Sequence, residues 1–253
     1  MKKHFIAIVA LTILCANLMI HTNISAENRQ VLLSKNWKIQ QSDKIKSDGR
    51  LLSSKNVSTN GWYDANVPST VMGVLTYNGL YKDLFIDQNY KEADKTPFDS
   101  SWWYRTTFSL LKSDKGKHIS LDFDGLTYRA NIWLNGKLVA PKEDVYGAFC
   151  RFSFDITDIV EENNVLAVEV FRAQVAEPNI GFVDWNPRPL DENMGIFREV
   201  RLCITGDVRM KNTYVEPLVN TETLKEAWLT VSTELANLSE KTVKGHLIGE
   251  IGN

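Results

Sequence analysis

The amino-acid sequence predicts an all-β fold, a sandwich or barrel built from short strands. Apolar and polar residues alternate strictly through residues 119–123, which is the pattern of a half-buried strand. Asn135-Gly136 is a strong hairpin signal, because both residue types tolerate the positive φ angles of a tight turn. Short alternating segments bounded by Gly, Asn and Asp turns are typical of sandwiches and barrels.

The predicted strands follow one another along most of the chain. They cover residues 103–110, 119–123, 128–134, 137–139, 152–156, 165–171 and 197–204. Residues 165–171 are interrupted only by Glu169, so we expect this strand to be central and covered on both faces. Before the first strand we expect a short helix at residues 71–75, with Ser69 or Thr70 as its N-cap.

A change of pattern near Gly206-Asp207 predicts a domain boundary. Beyond it, residues 208–216, 227–236 and 243–251 predict three further strands. A sandwich of the immunoglobulin type has about seven strands. We therefore expect a first domain at residues 27–206 and an incomplete second domain at residues 207–253.

The first 26 residues have the pattern of a signal peptide. Lys2 and Lys3 precede an apolar stretch at residues 5–20, which is followed by polar residues and by Ala26 as a small residue for cleavage. The alternative is a transmembrane anchor, which needs about 17–25 apolar residues, and this stretch is short for one. We expect cleavage after Ala26 and an exported protein in the periplasm, at the cell surface or in the medium.

Charge and composition argue against several classes of function. Removing residues 1–26 leaves 27 basic residues against 31 acidic ones, a net charge of −4, with no basic block to suggest a nucleic-acid partner. His118 and His246 are isolated, so the sequence predicts neither a zinc site nor a Ser-His-Asp triad, and we expect no cofactor. Cys150 and Cys203 remain in the exported chain, where either a disulfide or two buried thiols would fit.

Three segments, in order, resemble the sugar-binding domain of glycoside hydrolase family 2. They are FDGLTYRANIWLNG at 123–136, FSFDITDIVEENNVLAV at 152–168 and DWNPRPLDENMGIFREV at 184–200. VPSTVMGVL at 67–75, NGLYKD at 78–83 and SWWYR at 101–105 are similar to the subgroup of exo-β-D-glucosaminidases and β-mannosidases. The resemblance covers about residues 30–205.

The resemblance implies a galactose-binding-like jelly roll, then an immunoglobulin-like sandwich, then a (β/α)₈ barrel with two catalytic glutamates of a retaining mechanism. We expect this barrel to be absent from the chain, so no catalytic residue is named. The implied function is the non-catalytic N-terminal portion of a retaining exo-β-glycosidase that hydrolyses a β-linked glucosaminide or mannoside. The alternatives are a stand-alone carbohydrate-binding module and a structural sandwich without sugar affinity.

The resemblance also identifies Asp184, Trp185 and Asn186 as candidate substrate-binding residues. They lie in a long irregular segment, residues 173–193, that contains three prolines. A carboxylate and an amide can bind sugar hydroxyls, and an indole ring can stack on a sugar. In the family, the matching loop helps to shape the subsite for the non-reducing-end sugar. The alternative is structural, with Asp184 capping a turn and Trp185 packing against the sandwich.

Structural interpretations are favoured for the neighbouring candidates. We expect Arg188 to face solvent, Asn193 to hold a tight turn and Arg198 to pair with a buried acid. Of Trp102 and Trp103, one is expected to lie in the core, and the other is a candidate for the loop end of the sandwich.

Overall fold

The computed structural model describes residues 4–11, 29–179 and 188–252. Residues 30–203 form one compact unit, and residues from 204 onward form a second unit together with the N-terminal strand. Both units consist mainly of antiparallel strands, so the predicted all-β fold is confirmed. None of the helices among the described residues is long and apolar enough to cross a membrane.

The strands are short in the first unit and long in the second. They are β1 His4–Leu11, β2 Arg29–Leu32, β3 Trp37–Gln41, β4 Tyr63–Ala65, β5 Ser69–Thr70, β6 Trp102–Ser109, β7 His118–Phe123, β8 Arg129–Leu134, β9 Lys137–Ala140, β10 Phe152–Asp155, β11 Asn163–Phe171, β12 Gly195–Ile196, β13 Val200–Thr205, β14 Val208–Val219 and β15 Ala227–Asn237. The α-helices are α1 Gly49–Leu52, α2 Val71–Tyr77 and α3 Asn89–Glu92.

Among the described residues, the first unit has two large sheets and the short two-stranded sheet β12-β5. One large sheet has six strands in the order β4-β3-β6-β11-β8-β9, and the other has four in the order β10-β7-β13-β2. Both sheets supply fully buried side chains, among them Trp37, Tyr104 and Ile132 from the first and Leu121 and Phe123 from the second. The hydrophobic core is therefore made by the alternate residues that the period-two pattern identifies.

The six-stranded sheet is also covered on its second face. Leu52 of α1 packs with Trp103 of β6 and Ala167 of β11, and partly buried hydrophobic side chains join this cluster from residues 45–62 and from β8. Strand β11 is consequently buried on both faces, as predicted. Trp102 and Trp103 are both buried, because consecutive residues of β6 face the two covered sides.

A buried arginine connects this covering segment to the sheet. Arg105 donates from Nε to the Leu52 carbonyl at 2.9 Å and from Nη2 to the Ser54 carbonyl at 3.0 Å. These carbonyls lie at the end of α1, where helix geometry leaves acceptors without partners. Burial lowers the pKa of Arg105 from its ordinary value. The guanidinium thus replaces water at the helix terminus.

The predicted helix and hairpin are confirmed. Helix α2 begins at Val71, and the Thr70 hydroxyl accepts a hydrogen bond from the Gly73 amide at 3.2 Å. Asn135 and Gly136 both have positive φ, 50° and 79°, and join β8 to β9. The local turn and capping chemistry was therefore readable directly from the residue types.

Two sequence-based expectations are wrong. Residues 243–251 form no strand and are exposed, because no neighbouring strand among the described residues pairs with them and a lone strand leaves its backbone groups unsatisfied. Arg198 is exposed rather than paired with a buried acid. Strand β13 begins only at Val200, and it is Arg201 that forms the ion pair, with Asp124.

The second unit contains a three-stranded sheet in the order β1-β15-β14. Strands β14 and β15 pair over most of their length, with an irregularity between Lys211 and Tyr214. Strand β1 pairs with residues 229–236 and lies inside the predicted signal peptide, which stays a prediction. In the first unit, Cys150 and Cys203 are half-buried and are not joined in a disulfide.

Candidate functional site

The candidate site is described through the residues that flank residues 180–187. Asp184, Trp185 and Asn186 themselves lie outside the described residues, so their predicted role stays a prediction. The flanking residues 188–196 contact α2 and α3, and Asn179 of the preceding flank contacts Glu192. These contacts define where the chain enters and leaves the predicted binding loop.

Asp191 is a buried carboxylate that anchors the C-terminal flank to helix α2. Its side chain is only 2% exposed. Oδ2 accepts a hydrogen bond from the Met72 amide at 3.0 Å, and Oδ1 accepts one from the Asn193 amide at 2.9 Å. The first turn of a helix has amide groups without intrahelical partners, so a carboxylate at this position is stabilising.

The surroundings of Asp191 have opposing effects on its protonation. Burial raises the pKa of the Asp191 carboxyl above its ordinary value, and the hydrogen bonds from Met72, Thr70 and Asn193 act in the opposite direction. Burial is the larger of the two effects, so the pKa of Asp191 is raised on balance. The arrangement is that of a carboxylate that positions backbone, because its oxygens already accept hydrogen bonds from the protein.

A tight turn follows Asp191 and brings the chain against β5. The Met194 amide donates to the Asp191 carbonyl at 2.8 Å, and the Val71 amide donates to the Met194 carbonyl at 2.8 Å. Asn193 has a φ of 58°, which agrees with its predicted role in a tight turn. Gly195 then pairs with Thr70 as β12 meets β5.

Glu192 connects the two flanks of the predicted binding loop. Its Oε1 accepts a hydrogen bond from Arg188 Nε at 2.6 Å, and the Asn179 amide nitrogen lies 3.4 Å from both its Oε2 and its carbonyl oxygen. Arg188 is 63% exposed, so it faces solvent, as expected, and is also paired. The residues immediately before and after the segment 180–187 are therefore both tied to one side chain.

Tyr90 of α3 adds an aromatic edge beside this flank. Its hydroxyl donates to the Arg188 carbonyl at 2.5 Å. Burial, followed by the Asp191 carboxylate, raises the pKa of Tyr90, so the phenol remains a donor. Phe85 stacks on Tyr90 with ring centroids 5.8 Å apart, and Phe85 is 84% exposed. An exposed stacked aromatic pair offers a face to the C–H surface of a sugar ring.

The described residues suit binding and positioning. They hold no group of three or more His, Cys, Asp or Glu side chains arranged for a metal ion. Sequence reasoning assigned no role to Asp191 or to Tyr90. The carboxylate of Asp191 caps a helix 119 residues earlier, so no local motif could have identified it.

Comparison with known proteins gives a consistent pattern of similarity. A family model described as "Glycosyl hydrolase 2 galactose-binding domain-like" matches residues 37–179. The exo-beta-D-glucosaminidase of Streptomyces avermitilis is 32% identical over 236 residues, which covers 91% of this chain and 26% of that protein. The exo-beta-D-glucosaminidase of Amycolatopsis orientalis is 34% identical over 218 residues, covering 84% of this chain and 20% of that protein.

Solved structures and a plant relative extend the pattern. The crystal structure of the Amycolatopsis orientalis exo-chitosanase CsxA superposes with a TM-score of 0.76 at 33% identity, covering 83% of this chain and 24% of that one. The mannosylglycoprotein endo-beta-mannosidase of Lilium longiflorum is 32% identical over 208 residues, 70% of this chain and 21% of that protein. The chain thus spans about a fifth to a quarter of the length of these proteins.

Proposed function

Because this chain belongs to glycoside hydrolase family 2 and forms the family's N-terminal galactose-binding-like domain, we propose that it helps an exo-β-D-glucosaminidase to hold its substrate. The jelly-roll class predicted from the sequence is confirmed by the same likeness. The observation that carries the proposal is the similarity to exo-β-D-glucosaminidases over most of this chain. A β-mannoside is the alternative substrate, which the plant endo-β-mannosidase supports.

The role of this domain in the proposed enzyme is to present a binding loop to the sugar. Glu192 ties Arg188 and Asn179 together, and Asp191 ties the same flank to α2. A loop whose two ends are held on a rigid sandwich places its polar groups with little loss of conformational entropy on binding. This supports Asp184, Trp185 and Asn186 as sugar-binding residues.

Asp184 provides the test of this proposal in the complete gene product. Asp184→Ala is expected to lower kcat/KM for p-nitrophenyl β-D-glucosaminide by about 10-fold to 100-fold, because a charge-assisted hydrogen bond contributes roughly 1.5–3 kcal/mol. Steady-state assays with the glucosaminide and the corresponding mannoside measure the effect and the sugar preference together. Asp144→Ala, at an exposed acid outside residues 173–193, is the matched control and should retain full activity.

Two results would contradict the proposal. If Asp184→Ala retained the kcat/KM of the control, the loop would have no part in substrate binding. If the complete gene product hydrolysed neither glycoside while the 253-residue chain bound glycans, the alternative of a stand-alone carbohydrate-binding module would replace the enzyme.

Export is proposed on the pattern of residues 1–26 alone. N-terminal sequencing of the secreted protein is expected to begin at Glu27, which would remove β1 with the signal peptide. A lysine in place of Ile8 should block export, because a charge interrupts the apolar stretch. Protein recovered with Met1 intact and bound to membranes would identify the segment as an anchor instead.

A further inference from the structure

A cleft of 660 Å³ opens at one end of the six-stranded sheet. It lies where β3 ends at Gln41 and where β4 and β6 begin, and residues 80–97 form its other wall. This volume falls within the range of about 300–1,000 Å³ that is usual for small-molecule sites. We propose that this cleft, here called the sheet-end cleft, is a second saccharide-binding site, built from residues other than Asp184, Trp185 and Asn186.

Aromatic side chains supply part of the cleft wall. Tyr63, Tyr81 and Trp102 all line it, but Tyr81 and Trp102 are buried, so the half-buried Tyr63 is the ring of these three that a ligand can reach. The rings of Tyr63 and Trp102 lie 6.2 Å apart at an angle of 42°. Aromatic rings present a negative face that attracts the weakly positive C–H groups of a pyranose ring. Tyr63, packed on the buried Trp102, therefore offers a small apolar surface that suits the C–H side of a sugar better than a strongly hydrated ion.

The polar groups of the cleft suit hydroxyl ligands. The amides of Gln41 and Asn89 line it, and an amide both donates and accepts hydrogen bonds, as a sugar hydroxyl does. Two basic and two acidic residues also line the cleft: Lys44, Lys82, Glu92 and Asp94. Balanced charge does not select a simple anion or cation. It fits a neutral sugar or an amino sugar, whose ammonium group would pair with a carboxylate.

The cleft is held open by hydrogen bonds within its wall. The Tyr81 hydroxyl donates to the Asp94 carbonyl at 2.7 Å, and Trp102 Nε1 donates to the Pro97 carbonyl at 2.7 Å. Tyr81 also stacks on Phe98, with centroids 6.1 Å apart. Burial raises the pKa of Tyr81 to about 12, so this donor persists across the physiological range. A preformed cleft loses little freedom when a ligand enters.

The test is an NMR titration of the 253-residue chain with a glucosamine trimer, a probe chosen because of the proposed function. The indole N–H of Trp102 reports on the cleft, because it bonds to the Pro97 carbonyl in the wall. We expect its signal to shift saturably, with Kd in the millimolar range. The double variant Glu92→Gln, Lys82→Gln should raise Kd at least fivefold, whereas the exposed control Glu143→Gln should leave it unchanged.

Asp184→Ala separates this proposal from the proposed function. If the sheet-end cleft is a site of its own, Asp184→Ala retains both the Trp102 shift and the Kd. Binding that is lost in Asp184→Ala but kept in the Glu92, Lys82 variant would overturn the cleft and leave the proposed function intact. The proposed site in the sheet-end cleft would also be overturned if neither this trimer nor a mannose trimer shifted the Trp102 signal. That result would not depend on which glycoside the complete gene product hydrolyses. Glu92 and Lys82 are exposed, so unchanged thermal unfolding should accompany the double variant.

Discussion

Asp191→Ala is expected to lower the free energy of unfolding by about 3 kcal/mol, because it leaves the partly buried amides of Met72 and Asn193 without acceptors. The change also removes a carboxylate from the first turn of α2 and a partner of the Thr70 side chain. Urea unfolding followed by circular dichroism measures the loss. Asp144→Ala, at an exposed position, is the control and should change stability by less than about 0.5 kcal/mol.

The pH dependence of Asp191→Asn gives a second readout of the same site. Burial raises the pKa of Asp191, so the folded protein keeps this proton at pH values where the unfolded chain has lost it. This contribution to stability is fully present below pH 3.8, the ordinary pKa of an aspartate, and it is lost as pH rises through the pKa of the folded protein. The destabilisation of the Asn variant, relative to the natural protein, should therefore be larger at pH 4 than at pH 7.

Two outcomes would contradict this account of Asp191. A loss below about 1 kcal/mol for Asp191→Ala would mean that water replaces the carboxylate at the start of α2. A destabilisation by Asp191→Asn that grew from pH 4 to pH 7 would mean that the folded pKa is lowered rather than raised.

Gly195→Ala is expected to destabilise the first unit by about 3 kcal/mol or more. Two causes add to this loss: backbone strain and steric conflict. Gly195 has a φ of 144°, which side-chain-bearing residues rarely adopt. A Cβ there would lie 2.7 Å from the Thr70 Cα and 2.8 Å from the Tyr104 hydroxyl oxygen. Neither neighbour can move easily, since one is backbone and the other is fully buried. Thermal unfolding and soluble yield measure the effect.

Matched glycine variants separate strain from steric conflict. Gly61 also has a positive φ, 77°, but a Cβ there would meet no atom within 4 Å, so Gly61→Ala should cost only about 1 kcal/mol. A Cβ on Gly206 also meets nothing, and this glycine has no left-handed φ, so Gly206→Ala should be close to neutral. If Gly195→Ala were as mild as Gly61→Ala, the close approach of β12 to β5 would not be required for folding.

Glu192 was not singled out by any local pattern, although it ties together both flanks of the predicted binding loop. A charged residue next to an Asn-Met-Gly turn is typical of an exposed loop, and its partners lie 4 and 13 residues away in the sequence. Irregular loops have no period from which a pairing could be inferred. Asp184, Trp185 and Asn186 were predicted from the family resemblance, and the kcat/KM of Asp184→Ala tests their role.

Local chemistry was sufficient for most of the secondary structure. Alternation over residues 119–123 predicted β7, Asn135-Gly136 predicted the hairpin, and Thr70 predicted the start of α2, because each signal acts within a few residues. Residues 243–251 were also predicted to form a strand, but they form none. A strand needs a partner, and no pattern within one segment supplies it.

The sequence alone determined the all-β class, the succession of most strands from β6 onward and the family. Tertiary structure alone decided which remote groups meet: the Asp191 carboxylate at the start of α2, and Arg105 at the end of α1. Periodicity and turn preferences are properties of neighbouring residues, so they can be read in order. Hydrogen bonds between residues 53 and 119 positions apart form only when the sheets bring those segments together, because burial then leaves each polar group no other partner.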